Sequence, residues 1–386
     1  MIRLLFLIAA LNRGGAERQL TLLVKGLDRT RFAVTVVTIY DGGALRGEIE
    51  DLDGVEVLSL HKHARWDIMA PFWRLIRILR RTKPEIVHGY MGVANILALV
   101  FGKAAGSRVV WGIRASDVDF SLYDRRSAWT DRLAAKLSRF TDLIVVNSRA
   151  GKRHHAAQGY DSKRMVVIPN GFDTRHFYPD GHARQSMRNE WGIAENDRLI
   201  GLVARLDPIK DYPTFLRAAA LLAQERQDVH FVSVGGGSTH YRRELQELAN
   251  DLGLGDRVIW AGERTDMCAA HNALDIATSS SSSEGFSNTT GEAMACGVPC
   301  VVTDVGDSAI LVGSTGLVVP PGEPAAMAAA WTHLLDLPAG ERAALGRAAR
   351  QRIIEAYSIE QLVGLTEAAL AGLMVHAPET HTSSAD

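Results

Sequence analysis

Short, almost purely apolar runs alternate along the chain with longer segments in which apolar residues recur at helical spacing. The run from Leu143 to Val146 contains only Leu, Ile and Val, which is typical of a parallel strand covered by helices on both faces. In the first half this pattern predicts strands at 2–10, 33–39, 55–59, 85–88, 108–112, 142–146 and 165–168, with helices at 16–27, 68–82 and 128–139. Such alternation predicts a doubly wound α/β sheet.

A second series of the same kind begins after a polar, charged stretch at 174–197. It predicts strands at 198–204, 229–234, 257–261, 275–278 and 299–303, with helices at 212–224 and 241–252. We therefore predict a first domain at 1–180 and a second at 181–358. The 386 residues suffice for two domains, each with its own core. The final helical pattern covers 359–374, and the polar tail 375–386 is expected to be disordered.

The most informative segment follows a run of five serines. Glu284 precedes a Gly-Phe-Ser-Asn turn, and Glu292 opens an Ala/Met run of high helix propensity that stops at Gly297 and Pro299. A loop that leads into a helix start presents backbone N–H groups that favour an anion. Two carboxylates around such amides suit a ligand with both phosphates and hydroxyls. The plain alternative is that Glu292 is an acid favoured by the helix dipole.

Four motifs in this order resemble the retaining, GT-B-type glycosyltransferases of family 4. They are Gly-Gly-Ala-Glu at 14–17, Pro-Asn-Gly-Phe-Asp at 169–173, Val-Ala-Arg-Leu at 203–206 with Lys210, and the paired-glutamate segment at 284–299. The resemblance extends over nearly the whole chain. It implies two facing Rossmann-like domains with a cleft between them, and a last helix that crosses back to the first domain.

The resemblance also implies a nucleotide-sugar site. Arg205 and Lys210 would stabilise the leaving diphosphate, one as a planar fork and the other as a point charge. Glu284 would contact the donor sugar and Glu292 the ribose, and these roles make Arg205, Lys210 and Glu284 the catalytic candidates. The donor-binding set is Gly14, Gly15, Gly262, Glu263, Arg264, Gly285, Phe286, Ser287, Asn288, Thr289, Thr290 and Glu292. A surface ion pair between Arg205 and a nearby aspartate is the alternative for that residue.

Candidates on the acceptor side are His88, Arg114 and Asp117. His88 ends a predicted buried strand, so a histidine at the edge of the core is an equally good interpretation. Relatives often carry His-Gly-x-Asp after the next strand, and Arg114 stands here in the histidine position. This departure leaves the contact role open and suggests that a phosphate or carboxylate binds near the reaction centre.

We predict no cofactor and no metal requirement. The three cysteines form no Cys-x-x-Cys pair, and GT-B enzymes generally need no metal. The front-face route attributed to retaining enzymes of this type needs no side-chain nucleophile.

Charge is unevenly distributed along the chain. Residues 1–180 carry 28 Lys and Arg against 18 Asp and Glu, while the remainder carries 15 against 26. A net charge of −1 argues against general nucleic-acid binding. The segment 66–83 combines two tryptophans with five basic residues at helical spacing, as in helices that lie on anionic membranes. An ordinary helix packed on its sheet is the alternative.

We expect a cytoplasmic enzyme with the inner membrane leaflet as a further partner. The apolar run 3–11 is interpreted as a buried first strand rather than a signal peptide. No apolar stretch reaches the ~18 residues that a membrane span needs.

The function predicted is retaining transfer of a hexose-type unit from a nucleoside diphosphate sugar to a glycan or polyprenyl-phosphate-linked acceptor in surface polysaccharide biosynthesis. A UDP-sugar is the favoured donor and GDP-mannose the second choice. Two alternatives are a sugar-nucleotide epimerase on the same fold and a non-catalytic nucleotide-sugar-binding protein. A dehydrogenase is the weakest, because the full Gly-x-Gly-x-x-Gly fingerprint is missing.

Overall fold

Two parallel sheets organise the protein, for which a computed structural model describes residues 1–63, 66–114 and 125–375, with residues 125–131 described by their backbone alone. The first sheet has the strand order β3-β2-β1-β4-β5-β6-β7. Its strands are β1 Ile2–Ile8, β2 Phe32–Thr38, β3 Val55–Ser59, β4 Ile86–Tyr90, β5 Arg108–Ile113, β6 Leu143–Val146 and β7 Met165–Val167. Its helices are α1 Gly15–Gly26, α2 Gly47–Glu50, α3 Met69–Thr82, α4 Gly92–Ala104, α5 Arg125–Ser138 and α6 Arg149–Ala157.

The second sheet has the order β10-β9-β8-β11-β12-β13. Its strands are β8 Arg198–Val203, β9 Val229–Val234, β10 Val258–Gly262, β11 Ile276–Ser279, β12 Cys300–Thr303 and β13 Gly316–Val319. The remaining helices are α7 Gly181–Glu190, α8 Tyr212–Glu225, α9 Thr239–Asp251, α10 Met267–Ala273, α11 Asn288–Ala295, α12 Ser308–Val312, α13 Pro324–Asp336, α14 Ala339–Ala356 and α15 Ile359–Val375. The strands and helices predicted from the pattern are confirmed to within a few residues.

Strand order reverses once in each sheet, between β1 and β4 in the first and between β8 and β11 in the second. Chains that leave neighbouring strands in opposite directions open a crevice at the carboxyl edge of a doubly wound sheet. The segments after β1 and β8 contain Gly14 and Arg205, and the segment after β11 contains Glu284. The topology therefore brings three of the predicted motifs to two crevices.

The chain crosses between the two sheets twice, and the crossings lie side by side. Phe172 N donates to Tyr357 O at 2.8 Å, and Ile359 N donates to Phe172 O at 3.2 Å. Beyond the second crossing, α15 packs on α1 in the core of the first sheet, where Leu362 and Leu370 are buried. Pairing of the crossings satisfies backbone groups that would otherwise be buried without partners.

Several elements were missing from the sequence prediction, among them α4, α7, α13, α14 and β13. Helix α7 lies within the polar stretch 174–197, and its buried side includes Arg188, whose Nη1 lies 3.2 Å from Asp275 Oδ2. A helix anchored through a buried ion pair lacks the apolar stripe on which pattern reading depends. Strand β13, which was also missed, is a four-residue edge strand. Among the described helices, none is long and apolar enough to cross a membrane.

The crossing segment packs directly against α11. A Cβ atom added to Gly291 would lie 2.0 Å from Cζ of Phe172, and Phe172 is 2% exposed. We expect Gly291→Ala to lower the free energy of unfolding by about 1–3 kcal/mol, the usual effect of overpacking. Gly364 in α15 has open space around it, so Gly364→Ala should leave stability unchanged or raise it. Urea unfolding measures both, and equal losses in the two variants would contradict this packing.

Candidate active site

The second-sheet crevice brings Lys210 and Glu284 together. The Lys210 ammonium forms an ion pair with Glu284 Oε1, and their side chains are 23% and 11% exposed. Ser281 Oγ donates to the same carboxylate oxygen at 2.8 Å. Lys210 follows β8 and Glu284 follows β11, so the reversal of strand order explains why residues 74 positions apart meet.

The serine run links the two loops that carry this pair. Ser280 Oγ donates to Lys210 O at 2.8 Å, and Ser282 N donates to Ile209 O at 2.9 Å. Asp211 then begins α8 with φ at +45°, and its carboxylate accepts from the Thr214 amide. Backbone and hydroxyl bonds therefore fix the position of the ammonium relative to the carboxylate.

Arg205 lies on the same loop but is held more loosely. Its Nη2 lies 3.1 Å from Asp207 Oδ2, and the arginine side chain is 73% exposed. An exposed pair of this kind contributes only about 0–1 kcal/mol, so an anionic ligand can recruit the guanidinium at little cost. The surface ion pair considered from the sequence is present.

Helix α11 starts beside the glycine loop of the first domain. Asn288 Nδ2 donates to Gly15 O at 3.4 Å, and a Cβ on Gly15 would lie 2.9 Å from that nitrogen. Ser287 is the N-cap, and its hydroxyl accepts from the Thr290 amide. Gly15 thus leaves room for the Asn288 side chain at the start of α11, where the helix has its positive end.

Within the donor-binding set, the side chain of Phe286 serves packing. It is 6% exposed and stacks on Phe172, with ring centroids 6.3 Å apart. The Tyr357 ring centroid lies 5.3 Å from that of Phe286. The aromatic contacts hold the loop from Gly285 to Ser287 against the chain crossings.

Glu292 points its carboxylate toward a buried histidine. His271 Nε2 lies 3.4 Å from Glu292 Oε2, and the side chains are 0% and 18% exposed. The carboxylate is therefore backed by an imidazole on one side and reaches solvent on the other. His271 was not identified from the sequence, and its place in an ordinary helical segment offered no signal.

Polar side chains join the two domains behind this loop. Gln19 donates to Asn288 Oδ1 in the second domain at 3.3 Å, and it also donates to Gly171 O at 2.9 Å within the first domain. Asn170 Nδ2 donates to Asn288 Oδ1 at 2.8 Å, and Arg114 Nη1 donates to Asn170 Oδ1 at 2.8 Å. The Pro-Asn-Gly turn is therefore the point through which Arg114 is connected to α11.

Asp307 makes a second link across the cleft. Its Oδ2 accepts from Arg149 N at 2.6 Å and its Oδ1 from Ala150 N at 2.8 Å. A second-domain carboxylate thus caps α6 of the first domain, where a negative charge is favoured. Asp307 N also donates to Gly285 O at 3.1 Å, so the same residue holds the donor loop. Sequence reasoning missed it because its partners are backbone groups 157 residues away.

A cavity of about 290 Å³ opens between these domains beside Glu284. Helix α6 contributes Arg153 and His154, and the loop after β12 contributes Asp304 and Gly306. Gly306 has φ of +60°, and a Cβ there would lie 2.1 Å from Glu284 O. This close approach to the Glu284 backbone requires a residue without a side chain at position 306.

Arg114 is tied to the first domain and does not stand free in the cleft. Its Nη2 donates to Tyr90 OH at 3.0 Å, and its guanidinium carbon lies 5.3 Å from the Tyr90 ring centroid. The third acceptor-side candidate, Asp117, lies outside the described residues.

His88 is 1% exposed and packs between Phe6 and Tyr90, with ring centroids 5.3 and 4.8 Å away. Neither ring nitrogen has a hydrogen-bond partner. Burial, with a smaller contribution from the Arg114 charge, lowers the pKa of His88 to about 3. The core-edge interpretation describes its surroundings, and a direct acceptor contact stays a prediction.

The loop predicted to read the base is also fixed by ion pairs. Arg264 pairs with Glu190 of α7 at 2.5 Å and with Asp266 at 2.6 Å. These hydrogen bonds raise the pKa of Arg264 above its usual range. Gly262 O accepts from Gly235 N at 2.7 Å. In this arrangement Arg264 stabilises the loop, while the role of its backbone in binding stays a prediction.

The described residues contain no group of three His, Cys, Asp or Glu placed to hold a metal ion. The absence of a metal requirement stays a prediction, as do the roles assigned to the individual site residues.

Comparison with known proteins identifies the same two segments. A family model described as Glycosyltransferase Family 4 matches residues 13–176. A second, described as Glycosyl transferases group 1, matches residues 197–337. The two matches together cover most of the chain and coincide with the two sheets.

Curated relatives carry related names. A D-inositol 3-phosphate glycosyltransferase of Corynebacterium urealyticum is 32% identical over 50% of this chain and 49% of its own length. The chain thus spans about half the length of this relative. A GDP-mannose-dependent alpha-(1-6)-phosphatidylinositol monomannoside mannosyltransferase of Mycolicibacterium smegmatis is 28% identical over 88% of this chain and 90% of its own.

Solved structures share the fold. Anabaena Alr3699/HepE, determined with UDP-glucose, has a TM-score of 0.83 at 23% identity and covers 96% of this chain and 100% of its own. Sucrose-phosphate synthase from Thermosynechococcus elongatus has a TM-score of 0.81 at 19% identity, with 97% and 100% covered. The predicted GT-B architecture is confirmed.

The buried histidine makes stability depend on pH. The folded protein keeps His88 neutral down to about pH 3, whereas the unfolded chain protonates it near pH 6.5. Below pH 6.5 the unfolded state therefore binds more protons than the folded state. As the pH is lowered from 6.5, His88 should reduce the free energy of unfolding by about 1.4 kcal/mol per pH unit. His88→Phe should remove that share of the slope in urea unfolding between about pH 5 and pH 6.5. His240, whose side chain is 82% exposed, supplies the control His240→Phe, and equal slopes in both variants would contradict the assignment.

Proposed function

Because the chain belongs to the group 1, family 4 glycosyltransferases, we propose that it transfers a sugar from a nucleoside diphosphate sugar to an acceptor hydroxyl with retention of configuration. The observation that carries this proposal is the Lys210–Glu284 pair at the reversal of strand order, across from the Gly14–Gly15 loop. A cation and a carboxylate held side by side suit a ligand whose phosphates and hydroxyls are adjacent.

In the proposed reaction the bond between the anomeric carbon and the diphosphate oxygen breaks, and a bond to the acceptor oxygen forms. The acceptor proton passes to the departing phosphate, so no side-chain nucleophile takes part. Lys210 and Arg205 stabilise the negative charge that develops on the diphosphate. The positive end of α11 adds to this stabilisation.

Glu284 orients the donor sugar by accepting hydrogen bonds from its hydroxyls. Its carboxylate already accepts from Ser281 and pairs with Lys210, so its position is set before the donor binds. A preorganised acceptor of this kind does not have to reorganise during the reaction.

Glu292 binds the ribose hydroxyls of the nucleotide. The buried His271 behind it limits the orientations of the carboxylate. A UDP-sugar is the favoured donor, and the HepE structures with UDP and with UDP-glucose support this choice by fold analogy. GDP-mannose is the second choice, in line with the name of the mycobacterial relative.

We extend the proposal to an acceptor that belongs to bacterial surface polysaccharide assembly and is a glycan or lipid-linked. WaaG, described as a glycosyltransferase involved in lipopolysaccharide biosynthesis, has the same fold with a TM-score of 0.71. The reaction would take place in the cytoplasm, next to the inner membrane leaflet.

Helix α3 and the segment before it support the membrane part of this proposal. Leu75 and Leu79 bury one side of the helix on the sheet, while Trp66 and Trp73 are 86% and 60% exposed. Arg77 and Arg80 are exposed on the same helix. Exposed tryptophans next to cations are typical of helices that lie at a lipid interface.

The first experiment is a thermal-shift panel of nucleoside diphosphates and their sugars without metal. A ligand at 100 times its dissociation constant adds ~2.7 kcal/mol of stability. Glu292→Ala loses a charged hydrogen-bond partner, which costs roughly 1.5–3 kcal/mol, so donor binding should weaken about 10- to 150-fold. Glu341→Ala, in the first turn of α14, is the matched control and should bind like the wild type. A panel without any shift, or equal affinity in Glu292→Ala, would refute the donor site.

Vesicle binding tests the membrane part separately. We expect the protein to sediment with phosphatidylglycerol vesicles but not with phosphatidylcholine vesicles, and added salt should weaken the binding. Arg77→Gln should lower the affinity about fivefold, the effect of one basic residue near an anionic surface. Arg243→Gln, an exposed arginine of α9 in the second domain, should leave it unchanged. Equal losses in the two variants, or equal binding to both vesicles, would contradict the proposed surface.

A further inference from the structure

A second cavity, of about 530 Å³, lies at the carboxyl edge of the first sheet. It sits where β1, β2 and β4 end, and Ile8, Ile39 and Tyr90 form its inner wall. Its volume is within the roughly 300–1,000 Å³ of small-molecule sites. Most of its remaining lining is apolar and includes Ile68, Pro71, Phe72, Met91 and Val93.

The cavity adjoins the proposed reaction centre. Glu17, in the first turn of α1, lines it two residues after Gly15 of the glycine loop. Tyr90, which also lines it, accepts a hydrogen bond from Arg114. A molecule bound in the cavity can therefore extend into the cleft in which the donor sugar is proposed to bind.

Side chains at the mouth are apolar yet exposed. Ile68 is 44% exposed, Val93 60% and Met91 40%. Met91 has φ of +65° and ψ of 151°, a conformation that costs a non-glycine residue about 1–3 kcal/mol and is concentrated at ligand sites. The strained backbone turns the start of α4 toward the opening.

The lining decides what can bind. Among the described residues that line it, the charged ones are Glu17, Lys62 and Asp67, and the Lys62 ammonium donates to Asp67 O at 2.8 Å. A sugar in this space would lose its hydrogen bonds to water without replacing most of them. A hydrocarbon chain loses none and gains from burial.

We propose that this cavity binds the hydrocarbon chain of a lipid-linked acceptor, an inference that rests on the proposed transferase function. Charge at the mouth fits such a molecule. Lys62 lines the cavity, and Arg74 of helix α3 donates to O of the lining residue Leu60 at 2.8 Å. An anionic phosphate head group would lie toward these cations and the chain would enter the cavity, which leaves the acceptor hydroxyl facing the cleft.

The test uses n-alkyl phosphates of increasing length as probes, each below its micelle-forming concentration, titrated calorimetrically into the full chain. Each methylene that enters an apolar site should tighten binding about fourfold. The affinity should stop rising once the cavity is filled. An affinity that does not depend on chain length would overturn the proposal.

Two valines of α4 provide a matched pair of variants. Val93 lines the cavity and is 60% exposed, and Val100 is seven positions later, does not line it, and is 55% exposed. Val93→Trp should block the mouth and weaken binding of decyl phosphate at least tenfold, while Val100→Trp should stay within about twofold of the wild type. Equal affinities in the two variants would assign the binding to general surfactant behaviour and overturn the proposal.

A second pair of variants controls for the case that the tryptophan variants misfold. Ile68 lines the mouth and is 44% exposed, whereas Ile354 in α14 is 37% exposed. Ile68→Gln should weaken decyl phosphate binding, and Ile354→Gln should not. Thermal shifts with the nucleoside diphosphate panel on every variant distinguish the two proposals. A wild type that binds no nucleoside diphosphate refutes the transferase, whereas intact nucleotide binding with no chain-length effect refutes only the cavity assignment.

Discussion

Reversal of strand order in two sheets is the constraint on which the rest of this structure depends. Strands buried on both faces leave no room for a polar ligand within a sheet, so ligands can bind only where the connections diverge at the carboxyl edge. One crevice lies between β1 and β4 and the other between β8 and β11. Hydrogen bonds from Gln19 and Asn170 to Asn288, and from the Arg149 amide to Asp307, hold the two crevices face to face.

These links connect the donor loop to the relative position of the domains. Asp307 bonds to the backbone of Gly285 and to the start of α6 in the other domain. Asn288, at the start of α11, bonds to Gly15 and Asn170. A ligand that moves the loop between Gly285 and Asn288 would therefore also act on the contact between domains, because the same groups serve both.

Most strands and long helices could be predicted from the chain because their burial leaves a periodic trace. Strand β6 is a run of Leu, Ile and Val, and α1 repeats apolar residues on one face. Helix α7 was not predicted because its buried contacts are ionic. Arg184 and Arg188 form ion pairs with Asp275. His271 and Asp307 were not identified as site residues from the sequence. The imidazole contacts Glu292 and the carboxylate accepts from amides far away in the chain, and neither contact leaves a local sequence pattern.

By itself the sequence determined the alternation of elements, the division into two sheets and the short motifs at loop positions, since these depend on local propensity and periodicity. Only the tertiary structure decided which loops meet. It paired Lys210 with Glu284, placed His88 in the core and Arg114 on Tyr90 and Asn170, and opened an apolar cavity beside the glycine loop. Such contacts join residues far apart in the chain, and they arise from sheet order and packing, which no local pattern encodes.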